Sequence, residues 1–404
     1  MNCTNINWDL FVVIAKYCDV RTLIALRSVC TGIRKRVWVK SIPSEFYKKL
    51  NDKNLLLFPH LVLLKAYNNP NITDASVGLL TQLGALNAGY NLKITDNSVG
   101  MLTRLTTLCA DSNPNITDAS VGLLTQLTYL DASNNANITD MSVVKLTRLT
   151  TLNADNNPNI TDVSVAKLTQ LTYLDASQNA NITDMSVVKL TQLTNLYTNY
   201  RITDVSVGLL TQLTHLHVGS NPNITDASVV LLTKLTYLHA GISHNITDAS
   251  VGLLTQLTTL YANCNPNITD VSVAKLTKLD NLAAGGNPNI TDVSVAKLTK
   301  LTCLDAVTNN ITDASVGLLT QLTYLNASFN PNITDASVVL LTKLTILHAC
   351  SNHTITDASV GLLTQLTSLD ASFNPNITNV SVAKLTQLTK LHAIDNPKIT
   401  IKIN

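Results

Sequence analysis

The sequence predicts an α/β solenoid, in which a parallel sheet grows by one strand with each copy of a short repeat. An Ile-Thr-Asp tripeptide, or a near relative, recurs sixteen times between Ile72 and Ile399. Thirteen of the fifteen intervals between these anchors are 22 residues long, one is 20 and one is 21. Hydrophobic residues make up 45% of the 404-residue chain, charged residues 13% and aromatic residues 4%. This composition can bury a large core, and stacked repeats extend that core without dividing the chain into domains.

One repeat, from Leu124 to Lys145, predicts a strand, a turn and a short helix. Leu130 and Ala132 alternate with more polar residues, which is typical of a strand with one buried side. Stacked neighbours would bury the apolar residues that a single unit leaves exposed. The predicted inward residues are Leu127, Leu130, Ala132, Ile138, Val143 and Leu146.

Polar residues in the same unit mark its turn and its helix start. Asn135 ends the strand, and its amide has donors and acceptors that can satisfy backbone groups of the turn and adjacent coil. Thr139 or Asp140 is a candidate N-cap for the helix that follows.

The frame L-x-x-L-x-A-x-x-N-x-x-I-T-D-x-S-V-x-x-L resembles the leucine-rich-repeat family over residues 61–400. Its I-T-D-x-S-V half is most similar to the cysteine-containing subtype of eukaryotic F-box proteins, with Asn where that subtype often has Cys. The 22-residue length and the L-T-x-L-T-x-L run are also similar to internalin-type repeats. The resemblance implies a solenoid of about sixteen units over residues 51–404. It would have a curved parallel sheet, with short helices or turns on the convex side.

The position after the second strand Leu is the candidate binding surface, because it varies while both leucines and the anchor Ile do not. In a strand it faces away from its inward neighbours, and the resemblance implies that this side is concave. Tyr is favoured at interfaces, and the Asp residues suit a basic or mixed-charge partner. The alternative is a solvated surface on which duplication copied Asp and Tyr. The predicted partner-binding residues are Asp111, Tyr129, Asp131, Asp155, Tyr173, Asp175, Tyr197, His215, His217, Tyr237, His239 and Tyr261.

Three histidines in neighbouring units admit a second interpretation. The spacing of His215, His217 and His239 could bind zinc or copper. No acidic or Cys ligand is placed beside them in the sequence, so we predict ordinary surface histidines and no metal.

The N-terminal segment has a different chemistry, with helical apolar spacing followed by basic residues. Its Val29-Cys30 pair and the preceding leucines resemble the F-box, and residues 1–50 are assigned to an F-box-like helical domain. The resemblance implies docking on a Skp-type adaptor of an SCF ubiquitin ligase. A helical cap over the first repeat is the alternative, and both can hold together. The residues implied in adaptor binding are Leu10, Ile14, Leu23, Leu26 and Val29.

The remaining signals exclude several classes of protein. A net charge of +2 predicts no general attraction to nucleic acid or membrane, and no run of 18 apolar residues occurs. Seven scattered cysteines and no recognisable signal peptide indicate a reducing compartment, either the cytoplasm or the nucleus of a eukaryotic or host cell. The chain has one Glu and no catalytic motif, so neither enzymatic activity nor a cofactor is predicted.

The predicted function is that of a protein-binding, substrate-recognition adaptor of an SCF-type ubiquitin ligase, which captures a target on the concave face. The alternative is an internalin-like adhesin or host-interaction scaffold without a ligase link. A secretion signal would favour that alternative, and the sequence shows none.

Overall fold

A computed structural model describes residue 42, residue 47 and residues 49–402. The structure falls into two compact units, divided between Leu193 and Thr194. This division lies inside the 20-residue interval between Ile182 and Ile202, which is the shortest in the array. Most of the predicted F-box-like segment lies outside the described residues.

The first unit alternates four-residue helices with three-residue strands. Consecutive strands pair in parallel with their leucines in register, as Leu64 does with Leu86. The helices are α1 Asp52–Leu55, α2 Asp74–Val77, α3 Asp96–Val99, α4 Asp118–Val121, α5 Asp140–Val143, α6 Asp162–Val165 and α7 Asp184–Val187. The strands are β1 Leu63–Lys65, β2 Ala85–Asn87, β3 Thr107–Cys109, β4 Tyr129–Asp131, β5 Thr151–Asn153 and β6 Tyr173–Asp175.

The second unit continues the same alternation, and its consecutive strands also pair in parallel. The strands are β7 Asn195–Tyr197, β8 His215–His217, β9 Tyr237–His239, β10 Thr259–Tyr261, β11 Asn281–Ala283, β12 Cys303–Asp305, β13 Tyr324–Asn326, β14 Ile346–His348, β15 Ser368–Asp370 and β16 Lys390–His392. The helices are α8 Asp204–Val207, α9 Asp226–Val229, α10 Asp248–Val251, α11 Asp270–Val273, α12 Asp292–Val295, α13 Asp313–Val316, α14 Asp335–Val338, α15 Asp357–Val360 and α16 Asn379–Val382.

The apolar columns of the repeats form the core of each unit. In the repeat that contains β4, Leu130 in the strand, Ala132 directly after it and the anchor Ile138 are completely buried. The same holds for Leu127, Val143 and Leu146, so all six inward positions predicted from the sequence are confirmed. Such burial removes these side chains from water only because the repeats on both sides cover them.

Asn135, a buried Asn of the first unit, joins its own turn to the repeat before it. Nδ2 of Asn135 donates hydrogen bonds to the carbonyl oxygens of Ala110, Asn113 and Ile116, at 3.0, 2.7 and 3.1 Å. Its Oδ1 accepts a hydrogen bond from the backbone N–H of Asn137 at 3.2 Å. The predicted role of this Asn in satisfying backbone groups is confirmed, and the groups belong to two repeats.

The I-T-D motif combines a helix cap with a link to the next repeat. Thr139 is the N-cap of α5, because its Oγ1 accepts a hydrogen bond from the backbone N–H of Met141 at 3.1 Å. Asp140 lies in the first turn, where its carboxylate accepts hydrogen bonds from the N–H and Oγ1 of Thr161 at 2.9 and 2.6 Å. Of the two candidate caps, Thr139 is therefore the cap, and Asp140 connects consecutive helices.

These carboxylates couple stability to pH. Burial raises the pKa of Asp96, but hydrogen bonds from Ser120 and Thr117 outweigh burial and hold the pKa below its usual value of 3.8. The charged form is therefore favoured by folding, so these bonds stabilise the fold above about pH 4 and are lost as the pH falls through the folded pKa.

We expect the substitution Asp96→Asn to lower the free energy of unfolding by about 1–2 kcal/mol at neutral pH, because it removes a charged acceptor. The difference from the unchanged protein should begin to shrink below about pH 4, where the unfolded carboxylate takes up a proton before the folded one does. Urea titrations of both proteins at pH 7 and pH 3 measure this change. An equal difference at both pH values would contradict a role for the charge.

Candidate binding face on the parallel strands

The outward side chains of β7 to β10 form one row on the second unit. The third residues of these strands are Tyr197, His217, His239 and Tyr261, and the register places each opposite the next. All four side chains are half-buried. The structure thus brings together four of the predicted partner-binding residues.

The four rings of this row stack on one another. The ring centroids of Tyr197 and His217 lie 5.2 Å apart, those of His217 and His239 4.1 Å, and those of His239 and Tyr261 5.2 Å. The angles between successive ring planes are 18°, 23° and 18°. Both faces of each imidazole are covered by a neighbouring ring, so the row presents imidazole edges to a partner.

A second row runs beside the first. The rings of His215 and Tyr237, which begin β8 and β9, stack with centroids 5.6 Å apart, and the ring of Tyr237 lies 5.5 Å from that of Tyr261. Nδ1 of His215 is 2.9 Å from Oγ1 of Thr214. The two rows together form the ring platform, defined as Tyr197, His215, His217, Tyr237, His239 and Tyr261.

Two glycines leave the space that the central imidazoles occupy. A Cβ atom at Gly219 would lie 2.8 Å from Cε1 of His217, and one at Gly241 would lie 3.3 Å from Cε1 of His239. The first distance is a clash, so glycine lets the ring lie close against the backbone. We did not predict these glycines as site residues. Their signal is a His followed two residues later by Gly in two consecutive units.

The central imidazoles are neutral at pH 7. Burial lowers the pKa of His217, and burial together with His217 lowers the pKa of His239 to about 4. Nδ1 of His239 and Oδ1 of Asn263 are buried and make no hydrogen bond. Unpaired buried polar atoms reduce stability and are uncommon in folded proteins. Two of them lie in the neighbouring repeats that contain β9 and β10.

The first unit carries the predicted acidic and tyrosine residues on its own strands. Tyr129 and Tyr173 begin β4 and β6, Asp131 and Asp175 end these strands, and Asp111 and Asp155 lie two residues beyond β3 and β5. Burial and neighbouring carboxylates raise the pKa of Asp111 and of Asp155, and burial raises the pKa of Asp175. The strands β3 to β6 contain no Lys or Arg, so this face is acidic.

A hollow on β13 to β16 was not predicted from the sequence. Its volume is about 590 Å³, which falls within the usual range of small-ligand pockets. Three of its residues, His348, Asp370 and His392, occupy the variable third position of their strands. That position is the sequence feature from which the hollow could have been predicted. The lining residues are Tyr324, Ile346, His348, Thr367, Ser368, Asp370, Thr389, Lys390 and His392.

Two further questions from the sequence concern metal binding and the N-terminal segment. Within the described residues, no group of three or more His, Cys, Asp or Glu side chains is arranged to hold a metal ion. In the same part of the chain, every helix is too short or too polar to cross a bilayer. The predicted adaptor-binding residues lie outside the described residues: Leu10, Ile14, Leu23, Leu26 and Val29.

Comparison with known proteins agrees with the repeat architecture. Residues 125–167 match a family model described as leucine-rich repeats in two copies. Residues 125–167 carry leucine-rich repeats. The chain is similar to the functional domain of InlJ from Listeria monocytogenes, which includes a cysteine ladder. The identity is 29% and the TM-score 0.50, over 79% of this chain and 74% of that chain.

Two further solved structures share the fold of these leucine-rich repeats. A leucine-rich-repeat protein of Leptospira interrogans is 20% identical with a TM-score of 0.52, over 95% of this chain and 94% of that chain. A chain of the Rad7–Elc1 complex from yeast is 17% identical with a TM-score of 0.51, over 92% of this chain and 91% of that chain. No curated protein matches the sequence. Leucine-rich repeats are typical of non-enzymatic scaffolds that bind other proteins.

Proposed function

We propose that this protein is the substrate-recognition adaptor of an SCF-type ubiquitin ligase, and that its strand face holds the target protein. The observation that carries the target-binding half of this proposal is the ring platform. Its rings are stacked before any partner binds, so ordering them costs little further entropy on binding. Tyr is enriched among the residues that dominate binding energy at protein interfaces.

The ligase half of the proposal rests on the N-terminal sequence. Val29-Cys30 and the helical spacing of Leu23 and Leu26 resemble an F-box, which would dock on a Skp-type adaptor. Ubiquitin transfer would then belong to other subunits of the ligase. We propose no catalytic activity and no cofactor for this chain.

A second candidate function is that of an internalin-like adhesin or host-interaction scaffold. The observation that favours it is the 29% identity to the InlJ domain, which extends over 79% of this chain. Both candidates place the partner on the strand face, and they differ in whether the N-terminal segment binds a ligase adaptor.

Truncating the row of stacked rings tests target capture. We expect the triple variant Tyr197→Ala, His217→Ala, Tyr261→Ala to lose partner proteins that the unchanged chain retains from a eukaryotic lysate, at an unchanged melting temperature. The side chains are half-buried, so their removal opens no core cavity. The matched control is Tyr200→Ala, an exposed tyrosine outside the ring platform. Equal capture by the triple variant, identified by mass spectrometry, would remove this site.

Adaptor binding is tested separately with the full chain and a purified Skp-type adaptor. We expect the two to co-elute in size-exclusion chromatography, and expect Leu23→Asp with Leu26→Asp to abolish co-elution. The matched control is Lys35→Asp, which adds an acidic residue in the basic run of the same segment. Failure of the unchanged chain to bind the adaptor would overturn the ligase half and favour the scaffold function.

A further inference from the structure

The strand face around the ring platform differs in charge from an ordinary protein surface. Strands β7 to β10, with the two residues after each, contain no Asp, Glu, Lys or Arg. The titratable groups that face His217 and His239 from these strands are Tyr197, His215 and the two tyrosines of β9 and β10. Imidazole is the group among these whose usual pKa lies closest to physiological pH.

The stacked geometry limits what this surface can recognise. Each imidazole of the row is covered on both faces, by His217 or His239 on one side and by a tyrosine on the other. Ligands that bind by stacking, such as the bases of single-stranded nucleic acids, need free ring faces. Nδ1 of His239 is buried, so the ring edge left for a partner is the one that carries Nε2, which binds groups in the ring plane as a hydrogen-bond donor or acceptor.

Two buried polar atoms beside the ring platform have no hydrogen-bond partner. Nδ1 of His239 makes no hydrogen bond although it is buried, and it lies 3.4 Å from the position that a Cβ at Gly219 would occupy. Oδ1 of Asn263 is likewise unpaired, 3.4 Å from the corresponding position at Gly241. Protonation would make both ring nitrogens donors, with Nδ1 of His239 on the buried side and Nε2 available to a partner.

We propose that His217 and His239 form a proton-gated recognition site for an acidic segment of the partner protein. The inference rests on the proposed function, because it assigns the charge of the segment that the strand face holds. A protonated imidazole would be complementary in charge to a partner carboxylate, and these strands have no carboxylate of their own that would compete for it.

Protonation and binding are expected to reinforce each other. In the free protein, burial and the neighbouring ring oppose proton uptake by His239. Because the two ring centroids are 4.1 Å apart, repulsion between two like charges limits the pair to one proton. A bound carboxylate supplies the opposite charge and raises the pKa of the imidazole that it contacts. Uptake of one proton per complex would tighten the Kd about tenfold for each unit fall in pH.

The test measures binding of the full chain to a capped octa-aspartate peptide by calorimetry at pH 7.5, 6.5 and 5.5. Aspartate stays ionised throughout this range, since its usual pKa is about 3.9. We expect the Kd to fall by up to about tenfold per pH unit, and expect no binding of a capped octa-asparagine peptide. A Kd that does not change with pH would overturn the inference. So would preferential binding of an octa-lysine peptide or of a twelve-residue oligothymidine.

Variants separate proton uptake from ring packing. The pair His217→Phe, His239→Phe keeps two aromatic rings in the row but cannot be protonated, and we expect weak binding without pH dependence. His244→Asn removes an exposed imidazole outside the ring platform, and we expect it to keep the pH dependence. Circular dichroism and the melting temperature check that each variant is folded, and the chemical shift of the imidazole Cε1–H group reports the proton. Equal pH dependence in the Phe pair would contradict the assignment.

The outcomes also separate this inference from the proposed function. If a partner is lost by the triple alanine variant but its Kd is independent of pH, the strand face binds protein and the proton-gated site is wrong. If octa-aspartate follows the expected pH dependence while the triple alanine variant still captures the partner, the acidic site exists and the proposed target site is wrong.

Discussion

Asn135→Ala is expected to lower the free energy of unfolding by about 2–4 kcal/mol. The side chain is almost fully buried, and its amide joins three carbonyls of the previous repeat to one N–H of its own turn. Alanine removes these bonds and leaves the N–H of Asn137, whose hydrogen bond is partly buried, without its partner. The loss therefore combines missing hydrogen bonds with the cost of an unsatisfied polar group.

The matched control is Asn137→Ala, two residues away in the same unit. The side chain of Asn137 is exposed and donates one hydrogen bond, to the carbonyl of Pro114 at 2.8 Å. We expect a loss below about 1 kcal/mol. Urea titrations followed by circular dichroism compare the two variants. Equal losses would show that burial and multiple bonding at position 135 add nothing, which would contradict the account of the buried Asn column.

The fold was predictable because the repeats bury the same apolar positions against their neighbours. The 22-residue interval and the alternation around Leu130 and Ala132 indicated which side of the strand is buried. The link between Asp140 and Thr161 was not predictable from one unit, since it joins residues 21 positions apart whose proximity depends on how neighbouring repeats stack. A single unit therefore showed two candidate caps, and the stacking assigned a separate role to each.

The sequence predicted which position of the repeat carries the candidate site, but not how the side chains at that position are arranged. The variable third strand position identified His217 and His239, and the period-2 geometry of a strand put them on the outward side. Stacking depends on side-chain torsions and on the room that Gly219 provides, which no residue pattern specifies. The predicted binding of a target protein by these residues stays a prediction.

The second large effect concerns one repeat in which the backbone conflicts with its sequence. Ile242 has a φ of 63°, in the left-handed region that β-branched residues avoid. Gly286 takes the equivalent position of the repeat containing β11, with a φ of 67°, and shows the residue that suits this backbone. We therefore expect Ile242→Gly to raise the free energy of unfolding by about 1 kcal/mol.

Ser243, the next residue, interrupts the column of buried Asn side chains. Its Oγ is buried and makes no hydrogen bond. An Asn at this position would reach the carbonyls of Val218, Asn221 and Ile224, which precede it by the same 25, 22 and 19 residues that separate Asn135 from its three acceptors. We expect Ser243→Asn to add about 1–2 kcal/mol, and expect the double variant to gain about 2–3 kcal/mol in urea titrations.

The position of this unfavourable repeat connects its stability to binding. Within the described residues, four buried polar side-chain atoms lack a hydrogen bond, and three of them belong to His239, Ser243 and Asn263. Local conflicts of this kind concentrate where function opposes stability. We therefore expect the double variant to be more stable but to bind octa-aspartate more weakly at pH 5.5. Thr308→Gly, at another left-handed position outside the ring platform, should gain stability without loss of binding. Unchanged binding by the double variant would show that this repeat is poorly packed for reasons unrelated to recognition.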